Sequence, residues 1–373
     1  MNQQDLRAIA ALKNMFVADA LSMPVHWYYN PLDIEKAFPG GVTQMESAPE
    51  YHPSSIMSLH STSKGGRGEQ TSHGRQREIV GEVILKGRRQ YWNQPGQHYH
   101  RGMQAGENTL NAHCARILMK SLATNNGHYN KQHFIDAYIA FMTADPPAHP
   151  DTYAESYHRG FFANLEGGKA KDRCGAVTHD TASIGGLVTI APLVLAERLA
   201  GTSLDKVQVL CREHLFLTHP DDSLANTCAI YVDLLDQLLF RSDETPPSEL
   251  IAHTARRVGL NLSGLLAKTR DDREVVGGLF SSACYISGSW PSVLYLAGKY
   301  MTSPRQALLA NTNLGGDNVH RGAVLGAILG LATAHTIAED YEKLVDKESL
   351  NAEINALLKL SAHQIESLRE KSL

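Results

Sequence analysis

The sequence has few cysteines, no long basic stripe and little strand-like alternation. Its five cysteines are widely spaced, and no two of them form a CxxC pair, so neither a disulfide framework nor a structural zinc site is indicated. The formal net charge is −4, from 35 basic and 39 acidic side chains. A chain with this balance and no basic stripe is not expected to bind nucleic acid.

Signals for targeting or membrane insertion are also scarce. The N-terminal stretch 1–23 is partly apolar, but it carries four charged side chains and has no cleavage pattern. We interpret it as an amphipathic helix. Elsewhere no run approaches the roughly 20 apolar residues needed to span a bilayer. These features predict a cytoplasmic protein with reduced cysteines and no membrane contact.

The residues that are present predict a helical fold. Hydrophobic residues make up 43% of the chain and charged residues 20%, which is enough to bury a large core. Apolar residues recur every three or four positions. This spacing predicts helices over 109–122, 131–142, 204–217, 226–240, 291–299, 304–310, 321–334 and 350–360. Pro192 should interrupt or kink the apolar run 187–195. We expect an all-α protein of roughly a dozen helices, as one domain over 1–373.

The segment 51–77 differs from the rest of the chain. It is rich in Gly, Ser and His and has no apolar periodicity. Loops of this length in compact domains are commonly mobile or cover a site. The segment is therefore either a lid that flanks a catalytic cleft, with His52 or Ser55 at the rim of that cleft, or a disordered loop.

A first cluster of polar residues lies in the segment 311–332, NTNLGGDNVHRGAVLGAILGLA. Gly315 and Gly316 predict a tight turn, and Asp317 follows at the N-cap of a helix. His320 lies three positions later and can face the same space. Glycines at four-residue spacing in this helix would let another helix approach closely. The alternative is that Asp317 only caps the helix.

A second cluster opens the amphipathic helix that begins near position 109. Glu107, Asn108 and Thr109 place oxygen atoms at its N-terminus, where an anion or a metal-bridged group is favoured. An ordinary acidic cap would show the same pattern. The two explanations stay open at this point.

A third cluster follows the N-terminal helix. Asp19, His26 and Trp27 lie in the segment 17–31, VADALSMPVHWYYNP. Clustered aromatic side chains at a helix exit can stack on a planar ligand, but more commonly they pack in a core.

Taken together, the three clusters resemble the motifs of the ADP-ribosylglycohydrolase family. The family motif G-D-x-x-G-x-x-x-E is similar to ADALSMPVH at 18–26, and T-D-D-T is similar to GENT at 106–109. The motif G-G-D-T-D-T is similar to GGDNVH at 315–320. SIGGLVTIAPLVLA at 183–196 and THPDDSLANTCAIY at 218–231 also resemble family segments. The resemblance covers most of the chain in the family's order.

The resemblance implies a single orthogonal helical bundle with one central cleft. It implies hydrolysis of the glycosidic bond of a ribosyl or ADP-ribosyl small substrate, with two Mg²⁺ ions held by the acidic motifs. Carried over position by position, it suggests His26, Glu107 and Asp317 as catalytic residues. Substrate contacts are expected from Asp19, Trp27, Asn108, Gly315, Gly316 and His320, and metal contacts from Glu107, Asp317 and His320.

Several motif positions depart from the family pattern. His26 stands where the family has an acid, Asn108 replaces an aspartate, and Val319 and His320 replace an aspartate and a threonine. Too few carboxylates remain for two octahedral Mg²⁺ ions. The mixture of acid and imidazole suits one divalent transition metal, or metal-free acid–base catalysis. The alternative function is a non-catalytic member that binds a ligand or serves as a crystallin-like structural protein.

Overall fold

The computed structural model describes residues 2–57 and 77–359. Within these residues the chain forms fifteen α-helices and isolated β-bridges, without a β-sheet, which confirms the all-α class. The helices are α1 (Gln3–Ser22), α2 (Pro31–Ala37), α3 (Leu110–Thr124), α4 (Lys131–Met142), α5 (Ser156–Glu166), α6 (Ile190–Leu199), α7 (Leu204–Phe216), α8 (Asp222–Phe240), α9 (Pro247–Arg257), α10 (Leu262–Lys268), α11 (Ile286–Lys299), α12 (Pro304–Asn313), α13 (Asn318–Thr333), α14 (Ala338–Tyr341) and α15 (Lys347–Leu357).

The eight segments predicted from apolar spacing all overlap helices, and 131–142 coincides with α4 at both ends. The last position of the segment 350–360 lies outside the described residues. Helices α2, α5, α9, α10 and α14 were not predicted, and α5 and α9 are the longest of these. Helix α5 buries His158 and Arg159 beside its aromatic residues, so polarity does not separate its faces. Helix α9 buries only Ile251, Thr254 and Ala255. Helix α5 therefore lacks a distinct apolar face, whereas α9 buries residues at the helical spacing but has few large apolar side chains among them.

Two prolines in predicted helical regions occupy other helix positions than expected. Helix α6 begins at Ile190, so Pro192 lies in its first turn, where a missing amide hydrogen leaves no bond unmade. The expected interruption at this proline is wrong. Helix α11 begins five residues before the predicted start and contains Pro291. The hydroxyl of Ser292 in this helix donates to the carbonyl oxygen of Gly288 over 2.8 Å.

Helices α1 and α13 pack closely against each other, and most of their residues are buried. A Cβ atom added to Gly326 would lie 2.5 Å from the carbonyl oxygen of Asn14, and one on Gly330 would lie 2.4 Å from Cα of Ala11. These distances are too short for any side chain. The prediction that the glycine spacing admits a neighbouring helix is confirmed.

The segment Gln3–Val25 requires a correction to the sequence interpretation. By length and composition it is apolar enough to cross a membrane, although 94% of its most apolar stretch is buried in the structure. Its apolar side chains contact other helices of the protein, as in the core helix of a folded domain. A hydrophobic core extends through the described residues from α1 to α15; the assignment of 1–373 to one domain stays a prediction.

Candidate active site

Two adjacent glycines place Asp317 beside the segment that follows α1. Gly315 and Gly316 have φ angles of +66° and +63°, which other residues rarely adopt. The amide of Gly316 donates to the carbonyl of Tyr28 over 2.7 Å, and the amide of Trp27 donates to the carbonyl of Gly316 over 2.8 Å. These two bonds fasten the turn to residues 27 and 28. The glycines thus shape the site through the backbone.

Asp317 occupies the N-cap position of α13, but its side chain makes no capping bond. One carboxylate oxygen lies 2.9 Å from Nε2 of His26, and Nδ1 of His320 lies 2.9 and 3.1 Å from the two oxygens. All three side chains are buried. The alternative that Asp317 only caps the helix is therefore wrong for this structure.

The pKa values of Asp317 and His320 are shifted in opposite directions. Burial alone would raise the pKa of Asp317, but His320 and the hydrogen bonds of both histidines outweigh it and hold the pKa far below its usual value. Burial alone would lower the pKa of His320, whereas Asp317 and Glu155 raise it well above its usual value. At neutral pH the two groups form a buried ion pair.

Glu155 is one of the site residues that sequence analysis missed. It occupies the N-cap position of α5 without capping that helix, and its Oε1 lies 3.2 Å from Nε2 of His320. Its other oxygen, Oε2, is buried and lies 3.7 Å from Nε2 of His158, but it has no hydrogen-bond partner among the described residues. In the sequence Glu155 has no flanking glycines and precedes no predicted helix, so no pattern distinguished it from other glutamates.

Asp317, His320 and Glu155 line a cavity of about 380 Å³. Its size is within the range of small-molecule sites. The remaining polar lining includes Asp180 and the hydroxyl of Ser183, which is also buried without a partner. The aromatic part of the wall consists of Trp27, Tyr29, Tyr99, Tyr153, Tyr157 and Tyr285.

Trp27 lies between this cavity and His26. Its ring stacks on the imidazole of His26 with centroids 3.6 Å apart, and Tyr99 and Tyr153 meet it edge to face. The backbone of Trp27 has φ +61°, which is strained for a bulky residue. The surrounding contacts hold the indole against the cavity in spite of this cost.

His26 itself does not line the cavity, because Trp27 covers it and its side chain has no exposed surface. Its Nδ1 lies 2.7 Å from Nε2 of His100, and Nδ1 of His100 lies 2.8 Å from a carboxylate oxygen of Asp151. The structure therefore places His26 behind Asp317, away from the space where a ligand would bind.

Asp19 and Asn108 also lie outside the cavity. The carboxylate of Asp19 accepts hydrogen bonds from the amide and hydroxyl of Thr109 and from Nδ2 of Asn108, at 2.6–2.8 Å. Nδ2 of Asn108 also donates to the carbonyl of Phe16. Burial raises the pKa of Asp19. The contacts of both residues join α1 to the start of α3.

Glu107 is separated from Asp317, contrary to the expectation that they share one cleft. It lines a different cavity of about 310 Å³ together with His113 and His149, and its Oε2 accepts a hydrogen bond from the amide of Gln104 over 2.7 Å. Asp19 makes hydrogen bonds to Asn108 and Thr109 at the start of α3. The side chain of Glu107 therefore points away from Asp19 and from the cavity that contains Asp317. Of the predicted catalytic residues, the cavity contains Asp317 alone.

The described part of the predicted loop, 51–57, borders the cavity. Ser54 and Ile56 line it, whereas the imidazole of His52 is buried with Nε2 2.8 Å from the carbonyl oxygen of His26. Ser55, the other residue expected at the rim, is not part of the lining. Residues 58–76 lie outside the described residues, and the lid stays a prediction.

The protein is all-helical and has a cavity lined by acidic, imidazole and aromatic side chains. The family model for ADP-ribosylglycohydrolase matches residues 2–367, and the chain belongs to that family. A solved structure described as an ADP-ribosylglycohydrolase-related protein complex has a similar fold, with a TM-score of 0.57, 20% identity and coverage of 97% of this chain and 100% of that chain. No curated protein sequence matches the chain significantly.

The family usually binds divalent metal, and side chains that could hold such an ion are present in this protein. Among the described residues, one group offers three ligand atoms within 4.8 Å of one another, namely His26, Asp317 and His320. This group by itself does not suit a pair of Mg²⁺ ions, because it supplies one carboxylate and two imidazoles, whereas Mg²⁺ prefers oxygen ligands. Two imidazoles and a carboxylate suit one transition ion.

Proposed function

We propose that the protein hydrolyses the glycosidic bond of a small ribosyl or ADP-ribosyl substrate. The observation that carries this proposal is the sequence of contacts from Asp317 through His320 to Glu155, two carboxylates bridged by an imidazole, in the wall of an aromatic cavity. Family membership supports hydrolytic chemistry. A soluble cytoplasmic enzyme acting on a small molecule, without nucleic acid or membrane, is part of the proposal.

The three side chains have complementary roles in such a reaction. His320, with its raised pKa, holds a proton at neutral pH that it can donate to the leaving group. Glu155 can accept a proton from the attacking water through its unpartnered Oε2. Asp317 supplies negative charge for the positive charge that develops on the sugar ring in an oxocarbenium-like transition state.

Two further features support recognition of a riboside. Trp27 presents an aromatic surface on which a planar leaving group can stack. The hydroxyl of Ser183 and Oε2 of Glu155 are buried polar atoms without partners. Such atoms are costly unless a ligand or water satisfies them, and sugar hydroxyls would do so. Gly315 and Gly316 take part only by shaping the turn.

One transition ion is compatible with the proposal. His26, Asp317 and His320 would hold it, and an ion there would polarise the glycosidic bond or a water molecule. In that state His320 would be a ligand and could not serve as the acid. Metal-free and single-metal catalysis thus assign different roles to the same imidazole.

The experiment is a turnover assay with a panel of inosine, nicotinamide riboside, p-nitrophenyl β-D-ribofuranoside and ADP-ribosyl-arginine. Liquid chromatography and mass spectrometry would follow the released sugar and leaving group, with and without added divalent metal. We expect turnover of at least one compound by the wild type and a loss of about a hundredfold or more in Asp317→Asn. If no compound is cleaved under any condition, hydrolysis is refuted.

The second candidate is a ligand-binding or structural member without turnover. The observation that favours it is the replacement of family motif residues by His26, Asn108 and Val319. Thermal melting with ADP-ribose and divalent metals separates the two, because a ligand bound to the folded state raises the melting temperature. Stabilisation without cleavage would support a binding protein, and neither effect would support a structural one.

A further inference from the structure

A row of four buried polar side chains, each in contact with the next, begins at Asp317 and extends away from the cavity. The contacts run from Asp317 to His26 over 2.9 Å, from His26 to His100 over 2.7 Å and from His100 to Asp151 over 2.8 Å. None of the four side chains is more than 2% exposed. Metal-free catalysis uses only Asp317 among the four, and neither form of the mechanism uses His100 or Asp151.

Asp151, the last residue of the row, is held by hydrogen bonds from backbone amides. The second carboxylate oxygen of Asp151 accepts a hydrogen bond from the amide of Leu110, the first residue of α3, over 2.9 Å, and the oxygen facing His100 also accepts from the amide of Tyr153 over 3.2 Å. Asp151 therefore cannot turn without breaking backbone bonds. The orientation of its carboxylate is set by the fold.

The contact between the imidazoles of His26 and His100 links the orientation of the Asp151 carboxylate to that of the His26 ring. The rings of His26 and His100 are nearly parallel, with 3° between their planes. A contact of 2.7 Å between two ring nitrogens requires a donor on one ring and an acceptor on the other. The carboxylate of Asp317 can only accept, so Nε2 of His26 donates to it, and Nδ1 of a neutral His26 then accepts from Nε2 of His100.

From this geometry we infer that His100 and Asp151 are positioning residues, which hold the ring of His26 and thereby fix the carboxylate of Asp317 toward the cavity. The inference rests on the proposed function for its kinetic consequence. It does not depend on whether Asp317 acts on the substrate directly or through a metal ion, because residues that orient a ligand matter in either case.

A purely structural role is the competing explanation. His100 could merely join its own segment to Asp151, in the way that His98 joins the same segment to the carbonyl of Pro24. In that case only the bond from His100 to Asp151 would matter. The bond from His100 to His26 would then be dispensable for the reaction.

Two substitutions at one position separate these explanations. The amide of glutamine can reach the place of Nε2 of histidine, and the shorter asparagine reaches the place of Nδ1. His100→Gln therefore retains a partner for His26, and His100→Asn retains a partner for Asp151. Both are polar and smaller than histidine, and circular dichroism would show that they fold.

The first measurement is the rate constant for the best substrate of the panel. We expect His100→Asn to lower kcat about tenfold to a hundredfold with little change in KM, and His100→Gln to lose clearly less. Equal kcat values in the two variants, or a smaller loss in His100→Asn, would overturn the inference.

The second measurement needs no turnover. Nitrogen-15 spectra of histidine-labelled protein report which ring nitrogen of His26 carries a proton, with the signal assigned by its loss in His26→Gln. We expect the pattern of His26 to persist in His100→Gln and to change in His100→Asn. An unchanged pattern in both overturns the inference. If the wild type cleaves nothing, hydrolysis is refuted, and this spectrum still decides the positioning role.

Discussion

Trp27 combines a strained backbone with a large aromatic surface at the cavity. Its φ of +61° costs of the order of 1 kcal/mol or more, and its ring separates the buried His26 from the cavity. A bulky residue persists in this conformation only when its neighbours hold it there.

We predict that Trp27→Ala weakens binding of the best panel ligand by about tenfold or more, because one stacked ring contributes about 1–3 kcal/mol. Trp27→Phe, which keeps an aromatic face, should lose less. Calorimetric titration of both variants measures the effect. Wild-type affinity in Trp27→Ala would show that the leaving group binds elsewhere.

At this scale the sequence identified Asp317, His320 and Trp27 because glycines or aromatic neighbours mark them. It could not identify Glu155, whose role depends on the contact of its side chain with His320, a residue far away in the sequence. Nor could it show that Glu107 turns away from Asp317, since that direction is set by the tertiary hydrogen bonds of Asp19. The order of the motifs identified the positions of candidate residues in the sequence, but it did not determine where their side chains point.

The pairing of α1 with α13 is the central element-level feature. Gly330→Ala would place a Cβ atom 2.4 Å from the backbone of Ala11, and the backbone can yield only by separating the helices. We predict a loss of at least about 2 kcal/mol in the free energy of unfolding, measured by urea denaturation.

The matched control is Gly298→Ala in α11. Its Cβ would meet only the flexible side chain of Leu262, at 2.9 Å, and alanine favours a helix over glycine. The stability of this variant should stay within about 1 kcal/mol of the wild type. Equal effects of the two substitutions would contradict the account of the glycine spacing.

Helix positions were predictable where one face is apolar, as in α4 and α8. They were not predictable in α5, where polar residues are buried because they surround the cavity. The glycines of α13 predicted a close neighbour but not its identity. The partner, α1, lies about 300 positions away in the sequence, and local patterns carry no information on such pairings.

For the whole molecule, several buried histidines predict loss of stability in acid. Burial lowers the pKa of His214 and of His219 to about 3 and that of His113 to about 4. Below about pH 6.5 the unfolded chain binds protons that these folded groups do not. Their contribution is therefore complete above that pH and is lost as the pH falls toward 3–4. His320, with its raised pKa, acts in the opposite direction.

We predict a lower free energy of unfolding at pH 5.0 than at pH 7.5, with up to about 2 kcal/mol from each such histidine. Urea denaturation at the two pH values measures the difference, and His214→Gln should reduce it. Equal or greater stability at pH 5.0 would contradict this prediction.

The metal content of the protein is a second whole-molecule property. We predict at most one equivalent of a divalent transition ion, because the candidate ligands are two imidazoles and one carboxylate. Elemental analysis of protein purified without chelator, followed by assays after EDTA and Mg²⁺ addition, tests this. Two bound equivalents of Mg²⁺ with Mg²⁺-dependent turnover would refute it.

The central claim is that catalysis takes place in the cavity that contains Asp317, His320 and Glu155. The most direct test compares kcat for the best panel substrate in Glu155→Gln and Glu107→Gln, two identical substitutions in different cavities. The account predicts a loss of about a hundredfold or more in Glu155→Gln and a rate near the wild type in Glu107→Gln. A large loss in Glu107→Gln with normal turnover by Glu155→Gln would contradict it.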